Sequence, residues 1–461
     1  MGAGMRGLVD RLFDAHPGEL PYLAHGEDTV SRSLVRASVD WEAEVLAEHG
    51  VGEGHAVMLQ IPPSYTQTEV LLALWQLGVQ VMLVDHRLKP AELAGLEELC
   101  RPQFLITADI PGRPPLGFQP RYNVVVSRRP GGLAAAGEHP LVQFSSGSTG
   151  LPKVIGRTTA SLEAEIGTFT RIEGMPTLGE RVLLLSSTAH SFGLIAGLLH
   201  SLAVGASVVF ARRVTARDML ADAEQHAVHA VFGTPFHYEL LSTARAVPAL
   251  PALRAAVSGG EIMPPGTAER FAERFGVGVG ESYGTTETGV IAMDVSGASR
   301  PAVGPAAPGV RLRIADGSLE VRLDGTPYLF GSGGDRYADG WLRTHDRAEL
   351  DADGGVRLYG RSDSVVVIGG LKLDLTEVEE VLRGHPGVTG AVVVHSGTTE
   401  AYVSTVAEGG PSAGELLRWC RDRLADYKAP RSVHVVPDLP RTSNGKLIRR
   451  RDVLLSVSPD R

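Results

Sequence analysis

Residues 144–153 have the sequence Phe144-Ser145-Ser146-Gly147-Ser148-Thr149-Gly150-Leu151-Pro152-Lys153, a loop rich in hydroxyl groups and glycine that ends in one lysine. Gly147 and Gly150 permit close approaches that a Cβ atom would block, so neighbouring N–H groups and hydroxyls can converge on phosphate oxygens, and Lys153 adds a positive charge. The lysine follows a proline and not a glycine, so the spacing does not match the Walker pattern. This stretch alone predicts either a nucleotide loop of another kind or an ordinary turn, because its residue types are also common in turns.

Composition places the chain among ordinary globular proteins. It has 461 residues, of which 43% are hydrophobic and 21% charged, with a formal net charge of −9. An acidic chain has no general attraction for nucleic acid or anionic membranes, and we interpret the basic run 449–451 as a solvated helix face. Cys100 and Cys420 are the only cysteines, and they lack the spacing of a disulfide framework or a zinc site. No apolar stretch is long enough to span a bilayer and no signal-like segment is present, so we expect a cytoplasmic protein.

Short apolar runs alternate with longer helical patterns along the first two thirds of the chain, which predicts an α/β fold with parallel sheets covered by helices. In the clearest unit, Ser64 begins a helix that stops at Gly78, and a strand follows at once. The other predicted strands include residues 56–61, 79–84, 104–107, 182–187 and 207–210.

The pattern changes near residue 307. Short segments rich in Gly and Asp between residues 307 and 360 predict a small β-rich lobe. From Ser364 onward the pattern predicts a small domain, with strands at 365–368, 391–395 and 401–406 and a helix at 415–424. Its first helix has a capping-box pattern of Thr376 with Glu379.

A second polar loop, Gly280-Glu281-Ser282-Tyr283-Gly284-Thr285-Thr286-Glu287, follows a predicted strand. Its aromatic ring, hydroxyls and carboxylate could stack on a base, bind phosphate and hold Mg²⁺, which prefers oxygen ligands. The alternative is a strand-to-loop turn with a solvated glutamate. The nearby glycines do not form a G-x-G-x-x-G pattern, so a dinucleotide fingerprint is not supported.

Three more segments offer single polar groups. Trp341–Asp346 supplies a carboxylate that can accept two ribose hydroxyls, Tyr359–Asp363 supplies the guanidinium of Arg361, and Pro440–Lys446 presents a lysine on a polar loop. Taken singly, the first two could form a surface ion pair and the lysine could be a solubilising charge.

Together, and in this order, the five segments resemble those of the adenylate-forming superfamily of acyl-CoA synthetases, peptide-synthetase adenylation domains and luciferases. The resemblance covers nearly the whole chain. It implies an N-terminal adenylation core at residues 1–362 and a mobile C-terminal domain at residues 363–461. It also implies two steps with Mg·ATP, in which a carboxylate attacks the α-phosphate to form an acyl-adenylate and a thiol then displaces AMP.

The resemblance assigns roles to residues that match the family motifs. Lys446, His190, Thr286 and Glu287 would be catalytic, with Glu287 also binding Mg²⁺, and Asp363 would be the hinge that brings Gly369 and Gly370 to the thiol tunnel. The nucleotide would be held by Ser145, Ser146, Gly147, Ser148, Thr149, Gly150, Lys153, Gly259, Gly260, Glu261, Tyr283, Gly284, Thr285, Asp346 and Arg361. One departure is His345, which stands where the family usually has glycine before the ribose aspartate and puts the local turn geometry in doubt.

The segment Ala189–Leu194 has no acidic residue where amino-acid adenylation domains hold the substrate ammonium. An ammonium buried without a carboxylate is costly, so an α-amino acid is disfavoured. The His-x-Phe-Gly pattern resembles aryl and fatty acyl ligases, although His190 could instead be a core histidine. The predicted pocket is formed by Phe192, Gly193, Phe232, Thr234, Pro235, His237, Ser258 and Gly259. It favours an aryl or other non-amino acid.

The sequence therefore predicts an AMP-forming acid:thiol ligase. Its expected acceptor is CoA or the phosphopantetheine of an acyl or aryl carrier protein, and neither nucleic acid nor membrane is an expected partner. The alternatives are a medium-chain fatty acyl ligase, a ligase that acylates an amine, and a non-catalytic nucleotide-binding homologue.

Overall fold

The computed structural model describes residues 2–88, 90–110, 117–145, 153–331, 336–361, 364–368, 371–406, 409–424, 428–442 and 445–458. The chain divides into two compact units. The first unit comprises Met1–Arg313, Glu320–Arg343 and Leu350–Arg357, and the second comprises Ile314–Leu319, Thr344–Glu349 and Leu358–Arg461. The predicted domain boundary between residues 362 and 363 stays a prediction.

In chain order the strands are β1 (Pro21–His25), β2 (Asp28–Ser31), β3 (Ala56–Gln60), β4 (Gln80–Leu83), β5 (Phe104–Asp109), β6 (Asn123–Arg128), β7 (Leu141–Ser145), β8 (Lys153–Arg157), β9 (Arg181–Leu184), β10 (Ser207–Phe210), β11 (Ala230–Gly233), β12 (Ala255–Gly259), β13 (Val279–Thr285), β14 (Gly289–Asp294), β15 (Gly304–Pro305), β16 (Leu312–Ala315), β17 (Ser318–Arg322), β18 (Tyr328–Leu329), β19 (Tyr337–Ala338), β20 (Trp341–Leu350), β21 (Gly355–Arg361), β22 (Val365–Ile368), β23 (Leu371–Asp374), β24 (Val388–His395), β25 (Thr399–Thr405) and β26 (Ser432–Val436).

The α-helices are α1 (Gly2–Asp14), α2 (Arg32–Glu48), α3 (Tyr65–Gln76), α4 (Pro90–Cys100), α5 (Thr159–Arg171), α6 (His200–Val204), α7 (Ala216–Gln225), α8 (Pro235–Ser242), α9 (Pro265–Phe275), α10 (Leu375–Arg383), α11 (Ala413–Arg421) and α12 (Arg451–Val457). A π-helix, Phe192–Leu199, precedes α6.

Two largely parallel sheets form the core of the first unit. One has the order β14-β13-β12-β11-β9-β10-β1-β2, with β2 and β14 antiparallel at its edges. The other has the order β18-β8-β7-β4-β3-β5-β6, in which β7, β4, β3 and β5 run parallel. The predicted α/β class, with parallel sheets covered by helices, is confirmed.

Helix α3 lies in the core that both sheets share, and its residues from Tyr65 to Trp75 are buried. Ser64 is its N-cap and accepts from the Gln67 N–H at 3.0 Å, as the sequence predicted. Buried polar groups on the helix have partners: Gln67 donates to the Ile61 carbonyl at 2.9 Å, and Glu69 pairs with Arg121 at 2.6 Å. These bonds let a helix with polar residues occupy the interior.

Short strands follow residue 304, as predicted for the β-rich lobe, and form a sheet with the order β15-β21-β20-β17-β16. His345 lies within β20 and has φ +65°. A left-handed conformation is the one that glycine adopts without a Cβ penalty, and histidine is among the few other residues that tolerate it. His345 therefore keeps the positive φ that glycine would adopt at this position, and it adds a side chain there.

In the second unit, β24, β25 and β26 form a three-stranded sheet. Helices α10 and α11 pack on one face through residues such as Leu382 and Leu416, and α12 packs on the other through Leu454. The predicted strand at 365–368 is β22, whereas the helix predicted at 415–424 begins earlier because Ser412 and Glu415 form its capping box.

Two sequence interpretations in this unit are wrong, the second only in part. Thr376 and Glu379 do not form a capping box, because the Asp374 carboxylate caps α10 by accepting from the Thr376 N–H at 2.9 Å. The basic run 449–451 is exposed, as interpreted, but the helix part of that interpretation is wrong, because only Arg451 lies in α12. Arg449 and Arg451 also pair with the carboxylates of Glu379 and Glu400. The capping error is local, since Asp374 lies only two residues before Thr376, whereas the partners of Arg449 and Arg451 are 70 and 51 residues away in the sequence.

Candidate active site

The ends of the hydroxyl-rich loop lie side by side in the second sheet. Strands β7 and β8 are antiparallel, and Ser145 and Lys153 are register partners at the end of the pair. Ser146, Gly147, Ser148, Thr149 and Gly150 lie outside the described residues, so their phosphate-binding roles stay predictions. The hairpin fixes the two ends from which such a loop must extend.

Glu287 lies on the turn between β13 and β14. Its side chain is only 8% exposed, and Oε1 accepts from the Tyr328 hydroxyl at 3.1 Å. Arg336 Nη1 lies 3.7 Å from the same oxygen. Thr285 and Thr288 share a hydroxyl hydrogen bond of 3.0 Å across the turn. The carboxylate predicted to bind metal is therefore held in place by the protein.

Tyr328 connects this turn to the hairpin. It belongs to β18, which pairs with β8 so that Tyr328 lies opposite Ile155 and Leu329 opposite Val154. Burial raises the pKa of Tyr328 well above its usual value, so its hydroxyl remains a donor to Glu287. The structure thereby brings Glu287 and the Ser145–Lys153 hairpin into one connected arrangement.

Glu287 suits Mg²⁺ delivered with a nucleotide. Mg²⁺ is usually bound through one or two carboxylates together with substrate phosphates and water, and not by a cage made only of protein ligands. Within the described ranges there is no group of three or more His, Cys, Asp or Glu residues that could hold a metal ion. A single fixed carboxylate, connected to the hairpin that bounds the predicted phosphate loop, fits the ion, and Glu287 would be its protein ligand.

Several residues predicted to hold the nucleotide meet at the carboxyl ends of β12 and β13. The two strands are parallel with Gly259 opposite Ser282, so Gly259 and Gly260 lie next to Tyr283. Gly260 has φ +94°, which requires glycine. The carboxyl ends of parallel strands are the usual place for ligands in α/β sheets. Glu261, Gly284 and Thr286 follow in the two adjoining segments, and their roles stay predictions.

Two aromatic rings stack beside this edge. Phe192 and Phe232 lie with ring centroids 5.6 Å apart and planes inclined by 19°. A Cβ atom on Gly259 would come within 2.8 Å of the Phe192 ring, and one on Gly193 would collide with the Ser187 carbonyl. Both glycines are therefore needed for this packing, in which Phe232 is fully buried and Phe192 is partly exposed.

Other residues of the predicted pocket have structural partners. Thr234 caps α8, and His237 Nδ1 accepts from the Thr234 N–H at 3.0 Å while Pro235 begins the helix. Burial lowers the pKa of His237 to about 4, which keeps the ring neutral. Ser258 is 1% exposed, and its hydroxyl has no hydrogen-bond partner among the described residues.

His190 lies near a carboxylate that the sequence did not predict. Its Nε2 is 3.7 Å from Oδ2 of Asp85, whose side chain is 9% exposed at the end of the β4 segment. Gln143 fixes the residues on either side of His190: its amide donates to the Ala189 carbonyl at 2.9 Å and accepts from the Ser191 hydroxyl at 2.7 Å. Because Gln143 lies on β7, the His190 loop is tied to the strand that leads into the phosphate loop.

A buried ion pair contacts β14, the strand that follows the Glu287 turn. Arg157 and Glu165 lie 2.7 Å apart with side chains 4% and 6% exposed. Glu165 also accepts from the Val290 N–H at 3.0 Å, and a Cβ on Gly289 would collide with its carboxylate. The sequence reasoning missed this pair and Asp85. Asp85 had one usable signal, namely its position directly after a predicted parallel strand.

The remaining predicted residues lie in the second unit. Arg361 Nη1 is 3.6 Å from Oδ1 of Asp346, so the acceptor and donor proposed for the ribose are neighbours. Lys446 is exposed and follows Gly445, which has φ +80°. Asp363, Gly369 and Gly370 lie outside the described residues, so the hinge and thiol-tunnel roles stay predictions.

Two family models match the chain. A model described as AMP-binding enzyme matches residues 13–331, and one described as AMP-binding enzyme C-terminal domain matches residues 377–446. The chain belongs to the AMP-binding enzyme family. The resemblance inferred from the five segments is confirmed.

Known relatives act on aromatic acids. The chain is 27% identical over 468 residues to a p-hydroxybenzoic acid–AMP ligase of Mycobacterium tuberculosis, covering 92% of this chain and 65% of that protein. It is 30% identical over 337 residues to a feruloyl-CoA synthase of an Amycolatopsis species, covering 67% and 68%. This chain therefore spans about two thirds of the length of these relatives.

A solved structure has the same fold. An amide bond synthetase from Marinactinospora thermotolerans superposes with a TM-score of 0.81 at 23% identity, covering 98% of this chain and 99% of that one. At this identity the likeness shows the fold alone.

Across the part of the chain that the structure describes, no helix has the length and apolar character needed to cross a membrane.

Proposed function

We propose that the chain is an ATP-dependent, AMP-forming ligase that converts an aryl carboxylic acid into an acyl-adenylate and then into a thioester. The observation that supports this most directly is the connection of Glu287, through Tyr328, to the hairpin bounded by Ser145 and Lys153. A phosphate loop beside a fixed carboxylate is the arrangement that a magnesium nucleotide requires. Bound Mg²⁺ would neutralise phosphate charge.

In the first half-reaction, a carboxylate oxygen of the acid would attack the α-phosphorus of ATP, and the bond to the β-phosphate bridging oxygen would break to release pyrophosphate. Lys153 and the loop would hold the leaving group, and Asp346 with Arg361 would hold the ribose. Lys446 would donate to oxygens of the acid and the α-phosphate, which offsets repulsion between two anions. Catalysis of this kind depends on positioning and charge and needs no covalent enzyme intermediate.

In the second half-reaction, a thiolate would attack the acyl carbonyl and AMP would leave with the bonding electrons, while the thiol proton passes to solvent. CoA or a phosphopantetheinyl carrier protein is the proposed acceptor, since one relative is named as a CoA synthase. The stacked pair of Phe192 and Phe232 and the names of both relatives support an aromatic acid.

We also propose a cytoplasmic location, because Cys100 and Cys420 are both buried free thiols.

Exchange of labelled pyrophosphate into ATP tests the first half-reaction. Benzoate, 4-hydroxybenzoate, ferulate, octanoate and phenylalanine would be compared as acids. We expect exchange with at least one aromatic acid and none with phenylalanine. Exchange with octanoate alone would replace the aryl assignment by a fatty acyl one, and no exchange with any acid would contradict the enzymatic function.

Lys446→Ala tests the role of the lysine. Because it acts only on the attacking carboxylate and α-phosphate, we expect exchange to fall at least about 100-fold, the order that one preorganised donor contributes. Thioester formation from a supplied acyl-adenylate, with CoA and a holo-carrier protein as acceptors, should remain near the wild-type rate. Equal loss in both assays would mean that the lysine has no specific role in adenylation.

A further inference from the structure

Lys446 lies within a short backbone ladder. The Thr442 N–H donates to the Lys446 carbonyl at 2.7 Å, and the Ile448 N–H donates to the Pro440 carbonyl at 2.9 Å. Arg441 and Leu447 form an isolated antiparallel bridge, and Leu447 packs against the cluster around Tyr402 and Leu454. This ladder fixes the backbone on the N-terminal side of the lysine and immediately after it.

Two carboxylates hold the chain just beyond the ladder. Arg449 binds Glu379 of α10 through both guanidinium nitrogens, and the second bond, from Nη2 to Oε2, is 2.9 Å long. Arg451 binds Glu400 of β25 through two bonds of 2.8 and 2.9 Å. Bidentate pairs of this kind fix orientation as well as distance.

Both carboxylates have further partners that hold them still. Glu379 is 1% exposed and also accepts from the Val393 N–H at 2.9 Å. Glu400 is 11% exposed and accepts from the Tyr402 hydroxyl at 3.1 Å. The Arg451 hydrogen bonds lower the pKa of Glu400, so this carboxylate stays ionised at neutral pH. Each pair therefore has a fixed carboxylate, although the side chains of Arg449 and Arg451 are themselves 51% and 43% exposed.

The arginine between them is different. Arg450 is 72% exposed and pairs with Asp452, which is 65% exposed. An exposed pair of this kind contributes little to stability. One basic run therefore contains two exposed arginines that are bound to largely buried carboxylates and, between them, one that is bound to an exposed carboxylate.

We infer that Glu379 and Glu400, through Arg449 and Arg451, are positioning residues that fix the Lys446 segment within the second unit. Arg449 lies three residues beyond Lys446, so the two α-carbons are at most about 11 Å apart even in extended chain. Release of this anchor lets the lysine move by the ångström or so that matters in catalysis. The inference rests on the proposed role of Lys446 in adenylation.

The variants are Arg449→Ala, Arg451→Ala and Glu400→Gln, with Arg450→Ala as the matched control from the same run. Misplacement of a catalytic group by about 1 Å costs on the order of 100-fold. We expect kcat for pyrophosphate exchange to fall between about 10-fold and 100-fold in the first two variants, with little change in the KM for ATP. Glu400→Gln keeps the shape of the side chain, so its kcat should fall less. Arg450→Ala should have the kcat of the wild type.

Thioester formation from a supplied acyl-adenylate separates positioning from general damage. If Arg449 and Arg451 position the lysine, this half-reaction stays within about twofold of wild type in both variants. Equal losses in the two half-reactions, or losses as large in Arg450→Ala, would overturn the inference.

Hydrogen exchange gives a readout that does not depend on activity. The amides of Thr442 and Ile448 should exchange about tenfold faster in Arg449→Ala than in Arg450→Ala, because the first substitution loosens the ladder. If the wild type shows no pyrophosphate exchange with any acid, the proposed function fails, and this comparison still decides whether the anchors hold the segment. Unchanged exchange of both amides would overturn the inference.

Discussion

Asp85 shows how the fold adds a charge that no local pattern contains. The segment around His190 has no acidic residue, yet the end of β4 brings the Asp85 carboxylate to 3.7 Å from Nε2 of His190. The Arg87 N–H donates to the same side chain at 2.9 Å and fixes its orientation. The fold therefore places a fixed negative charge beside the His190 ring, although the two residues are 105 positions apart in the sequence.

Asp85→Asn should weaken acid activation without disturbing the turn. Asparagine keeps an oxygen for the Arg87 N–H but removes the charge next to His190. We expect kcat/KM for the acid in pyrophosphate exchange to fall about tenfold, equivalent to about 1.4 kcal/mol. The matched control is Asp109→Asn, an exposed carboxylate at the end of β5 in the same sheet, which should have no effect. An equal effect of both substitutions would exclude a specific role for Asp85.

Sequence patterns placed some residues well where the governing interaction is local. Ser64 was recognised as a helix cap because its partner Gln67 is three residues away. Residues 280–287 were interpreted as one loop, whereas Val279–Thr285 form β13 and only the end of the segment is a turn. Thr376 was misinterpreted because Asp374, two residues earlier, is a competing local cap. The partner of Arg449 was missed for a different reason, because Glu379 is 70 residues away and becomes its neighbour only through tertiary packing.

At the scale of elements, the β13–β14 turn depends on helix α5. Glu165 of α5 accepts from the Val290 N–H and pairs with Arg157 of β8, so one carboxylate links the helix to the turn that holds Glu287. Both charged groups are nearly fully buried. Such a pair contributes little net stability as a unit, but removal of one partner leaves an uncompensated buried charge.

Glu165→Gln should therefore be strongly destabilising. We expect the free energy of unfolding to fall by about 3 kcal/mol, measured by urea denaturation, because the Arg157 guanidinium keeps its charge in the interior. Glu163→Gln is the matched control on the same helix, since Glu163 pairs with Arg11 on the surface and should cost less than about 1 kcal/mol. Losses of similar size would show that burial of the Arg157–Glu165 pair is unimportant.

The types of the helices and strands were predicted better than the residues at which they begin and end. Apolar runs located β3, β4, β5, β9 and β10 because a buried parallel strand is hydrophobic on both faces. The π-helix was not predicted, because its wider turn leaves no distinct pattern in an apolar stretch. It forms where Gly193 and Gly197 allow close contact with Ser187 and Leu184, and those contacts exist only in the folded chain.

At the scale of the whole molecule, stability in mild acid depends on histidines buried in neutral form. His200 is fully buried, and neither ring nitrogen has a hydrogen-bond partner among the described residues. Burial lowers its pKa from 6.5 to about 4, and the pKa of His237 falls by the same mechanism. Below pH 6.5 the unfolded chain binds protons at these positions before the folded chain does, so acid favours unfolding.

His200→Leu should make unfolding less sensitive to acid. In the wild type, this one histidine lowers the free energy of unfolding by about 3 kcal/mol as the pH falls from 6.5 to 4, and it has no such effect above pH 6.5. Leucine cannot take up a proton, so the difference between urea midpoints at pH 7.5 and pH 4.5 should shrink, whatever the variant's stability at pH 7.5. His49→Leu, at an exposed histidine, should retain the wild-type difference. If His200→Leu loses as much stability as the wild type between these pH values, the ring of His200 is already protonated or hydrated in the folded protein.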